Sequence, residues 1–206
     1  MKNTDPAECS NLIRIGRIGD GGKWICNPFE LLNLENPCIF YSLGLNNEIS
    51  FDLELMEITK NQCKHIAVDM NEQKPHIIQH LPYTNFLKGT ISCKSNETFD
   101  EYTLQDLMIK YNTSKIDILK MDIEGSEYSI LEQLIKIEIC QILIELHSPD
   151  KTYKLFYQWL NTMSKAGFYL IHFEINEGTM LACEFTLIHK SCFEKYGVLV
   201  IKEFLS

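Results

Sequence analysis

Apolar residues along this chain fall into two alternating rhythms. Short runs at 38–44 (CIFYSLG), 64–69 (KHIAVD), 86–92 (FLKGTIS), 115–122 (KIDILKMD) and 140–146 (CQILIEL) read as strands, the third more weakly than the rest. Between them lie stretches whose apolar positions recur every three to four residues. These predict helices over 50–61, 103–111, 126–136 and 150–167. Phe51, Leu55 and Ile58 share one face of the first, Tyr102 or Thr103 starts the second, and Gly167 closes the last. Strands alternating with helices imply βαβ units, hence a mostly parallel sheet with helices on both faces. The end breaks this rhythm. Residues 168–175 (FYLIHFEI) and 179–189 (TMLACEFTLIH) are separated only by Asn176, Glu177 and Gly178, and so short a connection makes antiparallel neighbours. The pattern predicts an α/β fold of seven strands, mostly parallel, finished by an antiparallel hairpin. No repeat, low-complexity tract or long linker divides it. One domain is expected over 1–206, with an N-terminal extension (1–37), a core (38–190) and a tail (191–206).

In an open α/β sheet, ligands bind beyond the carboxyl ends of the strands, so the residues that follow each strand are the ones to inspect. After the first strand comes SLGLNNE, where Gly44 can permit close backbone approach. A dinucleotide pyrophosphate needs a glycine-richer turn, so a nicotinamide enzyme is disfavoured. Asp69 ends the second strand, 25 residues after Gly44, where a carboxylate can accept from ribose hydroxyls or merely cap a helix. The fourth strand runs into Asp122, Ile123, Glu124, Gly125, Ser126 and Glu127. Carboxylates there are costly unless something uses or solvates them. Ser126 and Glu127 suit a helix start, where an acid is favourable, which leaves Asp122 and Glu124 unexplained. After the fifth strand, Glu145 and His147 share a side if the chain stays extended. Parallel neighbours would bring His147 to Asp122. A lone histidine is more often structural. Asp122, Glu145 and His147 together could deprotonate a hydroxyl or ligate a divalent metal.

Residues 14–26 (RIGRIGDGGKWIC) read as a hairpin turning at Asp20, Gly21 and Gly22. Arg14, Arg17 and Lys23 beside that turn could hold an anionic part of a ligand, although the spacing is not that of a P-loop.

Composition narrows the partners. A net charge of -9 over 206 residues argues against a general nucleic-acid binder. No run of about 18 apolar residues exists, so no membrane span is expected. The opening MKNTDPAECSN has no apolar core of a signal peptide. The expectation is a cytoplasmic protein, or one of the secretory pathway if the sequence is a fragment. The eight cysteines include no CxxC pair, which argues against a zinc ribbon. Cys140 and Cys183 lie in apolar strands and read as buried thiols. The even count also permits disulfides in an oxidising compartment. The sequons Asn96-Glu97-Thr98 and Asn112-Thr113-Ser114 fit that option, though such short motifs often arise by chance. Nothing in the pattern sets an oligomeric state.

Taken together, RIGRIGDGGKWICNP, CIFYSLGLNNEISFDLEL, CKHIAVD, TLQDLM ahead of IDILKMDIEGSEYSIL, and QILIELH resemble the FkbM-type, methyltransferase-like family. The nearest likeness is to animal members carrying an N-terminal DGGK segment. The resemblance spans about residues 14–189; KMDIEGSE after TLQDL is its specific part. It implies a Rossmann-like class I methyltransferase domain that binds S-adenosylmethionine (SAM), a fold whose seventh strand inserts antiparallel. It further implies that Tyr41, Ser42, Gly44 and Asn46 approach the methionine portion, Asp69 holds the adenosine ribose, and Asp122 borders methyl transfer. The first loop, SLGLNNE, departs from the common DxGxxxG pattern. Family members commonly methylate hydroxyls, sugars included, so a small-molecule or glycan acceptor is expected. On this reading His147 is the base, because an unperturbed imidazole titrates near neutrality, and Asp122 or Glu145 orients it. The rival reading is a catalytically inactive module that keeps the fold for binding or scaffolding.

Overall fold

In the computed structural model, which describes residues 7–148, 151–176 and 178–200, the apolar runs become one seven-stranded sheet. Its strands are β1 (Ile39–Leu43), β2 (Lys64–Asp69), β3 (Thr84–Lys88), β4 (Ile116–Met121), β5 (Ile139–His147), β6 (Phe168–Ile175) and β7 (Ala182–His189). Across the sheet they run β6-β7-β5-β4-β1-β2-β3. Pairings between β1, β2, β3, β4 and β5 are parallel. β7 is antiparallel to both β5 and β6, so it enters the sheet inside its own hairpin. The strand order reverses between β1 and β4, and their carboxyl ends flank the crevice where such sheets hold ligands.

Helices cover both faces. The first, α1 (Ser50–Ile58), buries Phe51 and Leu55 beside Phe40 of β1. On the other face, α2 (Leu104–Lys110) and α4 (Lys154–Lys165) bury Leu104, Leu107, Phe156, Trp159 and Met163 with Tyr41 and Leu43. Alternate β1 residues thus feed opposite layers. The start of α2 is fixed by Thr103, whose side chain accepts from the Asp106 amide while Asp106 accepts from the Thr103 amide.

Two elements differ from the sequence expectation. The third strand stops at Lys88. Gly89 then donates to the Asp69 carbonyl, and Thr90–Ile91 pairs with Glu101–Tyr102 in a small separate sheet. The helix expected over 126–136 is broken into a 3-10 turn, Ser126–Tyr128, and one α turn, α3 (Leu131–Leu134). At the break Glu127 is fully buried, and its carbonyl accepts the Trp159 indole N–H. Two further bounds shift: the helix expected over 150–167 begins at Lys154, after Tyr153 in a left-handed conformation (φ 55°), and the last strand begins at Ala182 instead of Thr179; Asp150 and the turn residue Glu177 lie outside the described residues.

The expected N-terminal hairpin is present: Leu12–Ile15 pairs antiparallel with Lys23–Cys26. Farther out, Ala7–Cys9 pairs with Val198–Val200, so the two ends of the chain brace each other. Cys140 is not a free thiol; it is bonded to Cys192, and Cys9–Cys26 and Cys38–Cys63 are also paired. Cys183 is the buried free thiol expected.

Candidate active site

A cavity of about 610 Å³ opens at the carboxyl ends of β1, β2, β4 and β5. Of the residues singled out in the sequence, Gly44, Asn46, Asp69, Asp122, Glu145 and His147 line it. Tyr41 and Ser42 do not. Both are fully buried; Tyr41 packs in the core with its hydroxyl on Thr113 Oγ1, 2.8 Å away. They position the β1 loop from behind.

Gly44 has a positive φ of 79°, and a Cβ there would sit 1.7 Å from the Asp122 carbonyl oxygen. The close approach that glycine permits is therefore between two loops of the protein itself, where β1 and β4 end side by side. Asp69 is almost fully buried. Its Oδ2 accepts from the Leu45 and Asn46 amides, each at 2.7 Å, and its Oδ1 from the Asn71 amide at 2.7 Å. It orders the β1 loop and still has acceptor capacity left, since a carboxylate offers about four lone-pair sites.

β4 and β5 bring the other charged residues together. His147 Nδ1 lies 3.1 Å from Glu127 Oε1, and its Nε2 lies 3.4 Å from Glu124 Oε2 and 3.5 Å from Glu145 Oε1. The bond to Glu127, reinforced by Glu145 and Asp122, pushes the imidazole up to about 9 despite burial. Glu127, which the sequence assigns to a helix start, is thus the partner of His147. Burial pushes Glu145 up to about 8, with Glu184 and Asp122 adding to it. Asp122 is likewise raised by burial; Lys23 and His147 oppose the shift, and Glu184 and Glu124 reinforce it. Its Oδ1 is buried without a hydrogen-bond partner among the described residues.

Ligand atoms of Asp122, Glu124 and His147 lie within 4.8 Å of one another, and so do those of Asp20, Asp122 and Glu145. Either set of oxygen and imidazole donors could close on a divalent cation. The single set expected from the sequence is thus divided into two that share Asp122.

The hairpin's cations each have an acidic partner within the protein, and Lys23 also lines the cavity. Glu145, Glu184 and Glu174 stand side by side across β5, β7 and β6, and Glu184 is one of the groups that raise Glu145. Lys23, itself buried, pairs with Glu184 and reaches Glu145 at 3.8 Å. Arg14 and the Trp24 indole meet Glu174 at 3.4 and 2.6 Å. Arg17 pairs with Glu48 at 3.1 Å. A second buried network supports the cavity wall: Lys120 lies 3.2 Å from Asp52 of α1, whose other oxygen is 3.2 Å from His65 Nε2. Sequence reasoning missed Glu127, Glu184 and Asp52. Glu184 and Asp52 carried a signal, a lone acid among apolar neighbours, but neither sits at a strand end.

A sheet in this order with its last strand reversed, and a cavity at the point where the order turns back, is the Rossmann-like arrangement of class I methyltransferase domains. Two solved structures share the architecture at low identity. The fibrillarin pre-rRNA processing protein of Methanococcus jannaschii aligns with a TM-score of 0.51 at 16% identity, over 85% of this chain and 82% of its own. An rRNA methylase of Streptococcus thermophilus aligns at 0.52 and 12%, over 79% and 93%. The chain belongs to the family described as a methyltransferase domain, which matches residues 1–189. It is also 24% identical over 158 residues to the Homo sapiens protein named "Probable methyltransferase-like protein 24". That match covers 66% of this chain and 42% of the human protein, so the chain spans less than half of that relative's length. No helix among the described residues is long and apolar enough to cross a membrane.

Proposed function

We propose that this chain transfers a methyl group from SAM to a hydroxyl on a small molecule or glycan. One observation carries the reading: the cavity at the turning point of the sheet holds a half-buried carboxylate, Asp122, whose buried Oδ1 has no hydrogen-bond partner among the described residues. SAM brings an activated methyl group on a sulfonium; the protein has to hold it, align the acceptor and remove a proton. The cavity is of a size that small-molecule sites have, and its β1 loop needs no phosphate cradle. Asp69 keeps that loop in place and has acceptor capacity to spare for ribose hydroxyls.

Asp122 takes the acceptor's proton. Burial removes water from its carboxylate, which makes it a stronger base, while Lys23 and His147 offset part of that rise. His147 stays an imidazolium up to about 9, so it acts as the cation beside the base instead of the base itself. Glu127 fixes its ring. The acidic cavity and the net charge of -9 favour an uncharged hydroxyl compound over RNA, because polyanions are held by basic surfaces.

The test is calorimetry with SAM, followed by transfer of labelled methyl into glycans, lipids and small alcohols, with ribosomal RNA as comparison. Binding heat and alkali-stable label in a hydroxyl compound are expected. Folded protein that gives no heat would favour the inactive module, and label confined to RNA would move the acceptor to nucleic acid.

A further inference from the structure

We infer that this chain is an oxidised glycoprotein of a secretory lumen, with N-linked glycans on Asn96 and Asn112. Two independent observations converge on this. The first is the cysteine pairing. Six of eight cysteines form three disulfides, Cys9–Cys26, Cys38–Cys63 and Cys140–Cys192, at sequence separations of 17, 25 and 52. A bridge requires both Cα spacing and side-chain direction to agree, so three such pairs in one fold are not explained by cysteine as a small buried hydrophobe, the role that suffices for Cys183. Cytosolic thiols are kept reduced, whereas secreted and luminal proteins keep such bonds. All six half-cystines lie in the same hydrophobic layer, where Cys9–Cys26 ties the first described strand to the hairpin, Cys38–Cys63 ties the segments that enter β1 and β2, and Cys140–Cys192 ties the turn after β7 to β5.

The second observation is where the two sequons stand. Residues 93–100 are all exposed. Within them the Asn96 side chain accepts from the Thr98 amide at 3.1 Å, so the sequon is folded into a tight turn that projects into water. Asn112 follows α2 in the left-handed conformation, with φ 48°. Thr113 turns inward to Tyr41, while Asn112 and Ser114 are exposed on either side of it. Neither middle residue is proline, as the motif requires. Asn112 lies just ahead of β4, at the amino ends of the strands, so a glycan there leaves the cavity at the carboxyl ends open.

The chemistry is balanced by ordinary luminal donors. Each disulfide forms by exchange: two protein thiols give two electrons and two protons to a carrier disulfide, which leaves as a dithiol. Each glycan forms when the asparagine Nδ2 bonds to the anomeric carbon of a diphosphate-linked oligosaccharide. The carbon–oxygen bond to the diphosphate breaks, and the amide proton is lost. The inference does not depend on methyl transfer and stands if the acceptor proves different.

The test is peptide mapping of the protein isolated from its native cells, with free thiols blocked before digestion. Three disulfide-linked peptide pairs, blocking agent only at Cys93 and Cys183, and glycopeptides at both sequons are expected. Blocking at any of the six half-cystines, or bare asparagines at both sequons, would overturn it. Asn96 caps a turn and Asn112 holds a left-handed conformation, so glutamine at either site could misfold the loop. Thr98→Ala and Ser114→Ala keep both asparagines, and each is expected to remove one glycan, read as one step of gel mobility abolished by enzymatic deglycosylation. No mobility change in either variant would also overturn the inference.

Discussion

Asp52 is fully buried and Asp122 half-buried, and their surroundings give the two carboxylates opposite tasks. Asp122 is raised by burial and borders the cavity. Asp122→Asn keeps its shape and removes its charge; turnover is expected to fall by about 10²–10⁴-fold, the usual range for a lost acid–base group. SAM affinity by calorimetry should change by no more than a few-fold, and a matching loss of affinity would give Asp122 a binding role instead. Asp52 is different. Burial would raise it, but Lys120 first and then His65 outweigh that and hold it well below the usual carboxylate range. Its ionised form therefore contributes stability that is complete above that range and is lost as pH falls through it. Asp52→Asn leaves Lys120 buried without its partner and should cost about 3–5 kcal/mol at pH 7. Urea unfolding should find the gap between variant and parent narrowing below about pH 4. At this scale the sequence was half legible. Asp122 stood out because a carboxylate at the end of an apolar strand needs a use. Glu127 did not, because a position in a first helical turn already explained it, and only the fold reveals that it points inward to His147.

The N-terminal hairpin is legible as an element but not in its purpose. Two short extended pieces around Asp20-Gly21-Gly22 predict the turn, and the basic residues beside it suggest an anion. What the sequence could not convey is that β5, β7 and β6 place Glu145, Glu184 and Glu174 in a row, since that register exists only once β7 inserts between its neighbours. Lys23→Met is expected to destabilise the protein by about 3–5 kcal/mol, as a broken buried pair does. Adding Glu184→Gln should recover part of that loss if the two are coupled, read from the four denaturation midpoints of a double-mutant cycle. Additive losses would mean that Lys23 works through packing alone. The broken helix after β4 makes a similar point. Its apolar spacing was helical, but the segment breaks where the carbonyl of a buried glutamate accepts the Trp159 indole N–H.

For the whole molecule, seven strands, their parallel core and the closing antiparallel hairpin followed from the order of apolar runs and a short expected connection, although the last strand begins only at Ala182. Strand order itself did not, because periodicity assigns a residue to a face and leaves its neighbours open. The pairing of Ala7–Cys9 with Val198–Val200, and the three disulfides, were equally out of reach, because cysteine spacing permits many pairings. Reduction under native conditions should lower stability by about 2–5 kcal/mol for each bridge opened, seen as a stepwise fall in melting temperature with reductant. An unchanged melting temperature would mean that the bridges add little to this fold. The row of glutamates also reaches beyond the single molecule. Three acids on three strands are balanced by Lys23, Arg14 and Trp24 of one hairpin, so neither side can drift alone over evolutionary time. Relatives that lose the counterpart of Lys23 should have lost that of Glu184 or Glu145 as well, and the two positions should covary more strongly than their distance along the chain would suggest.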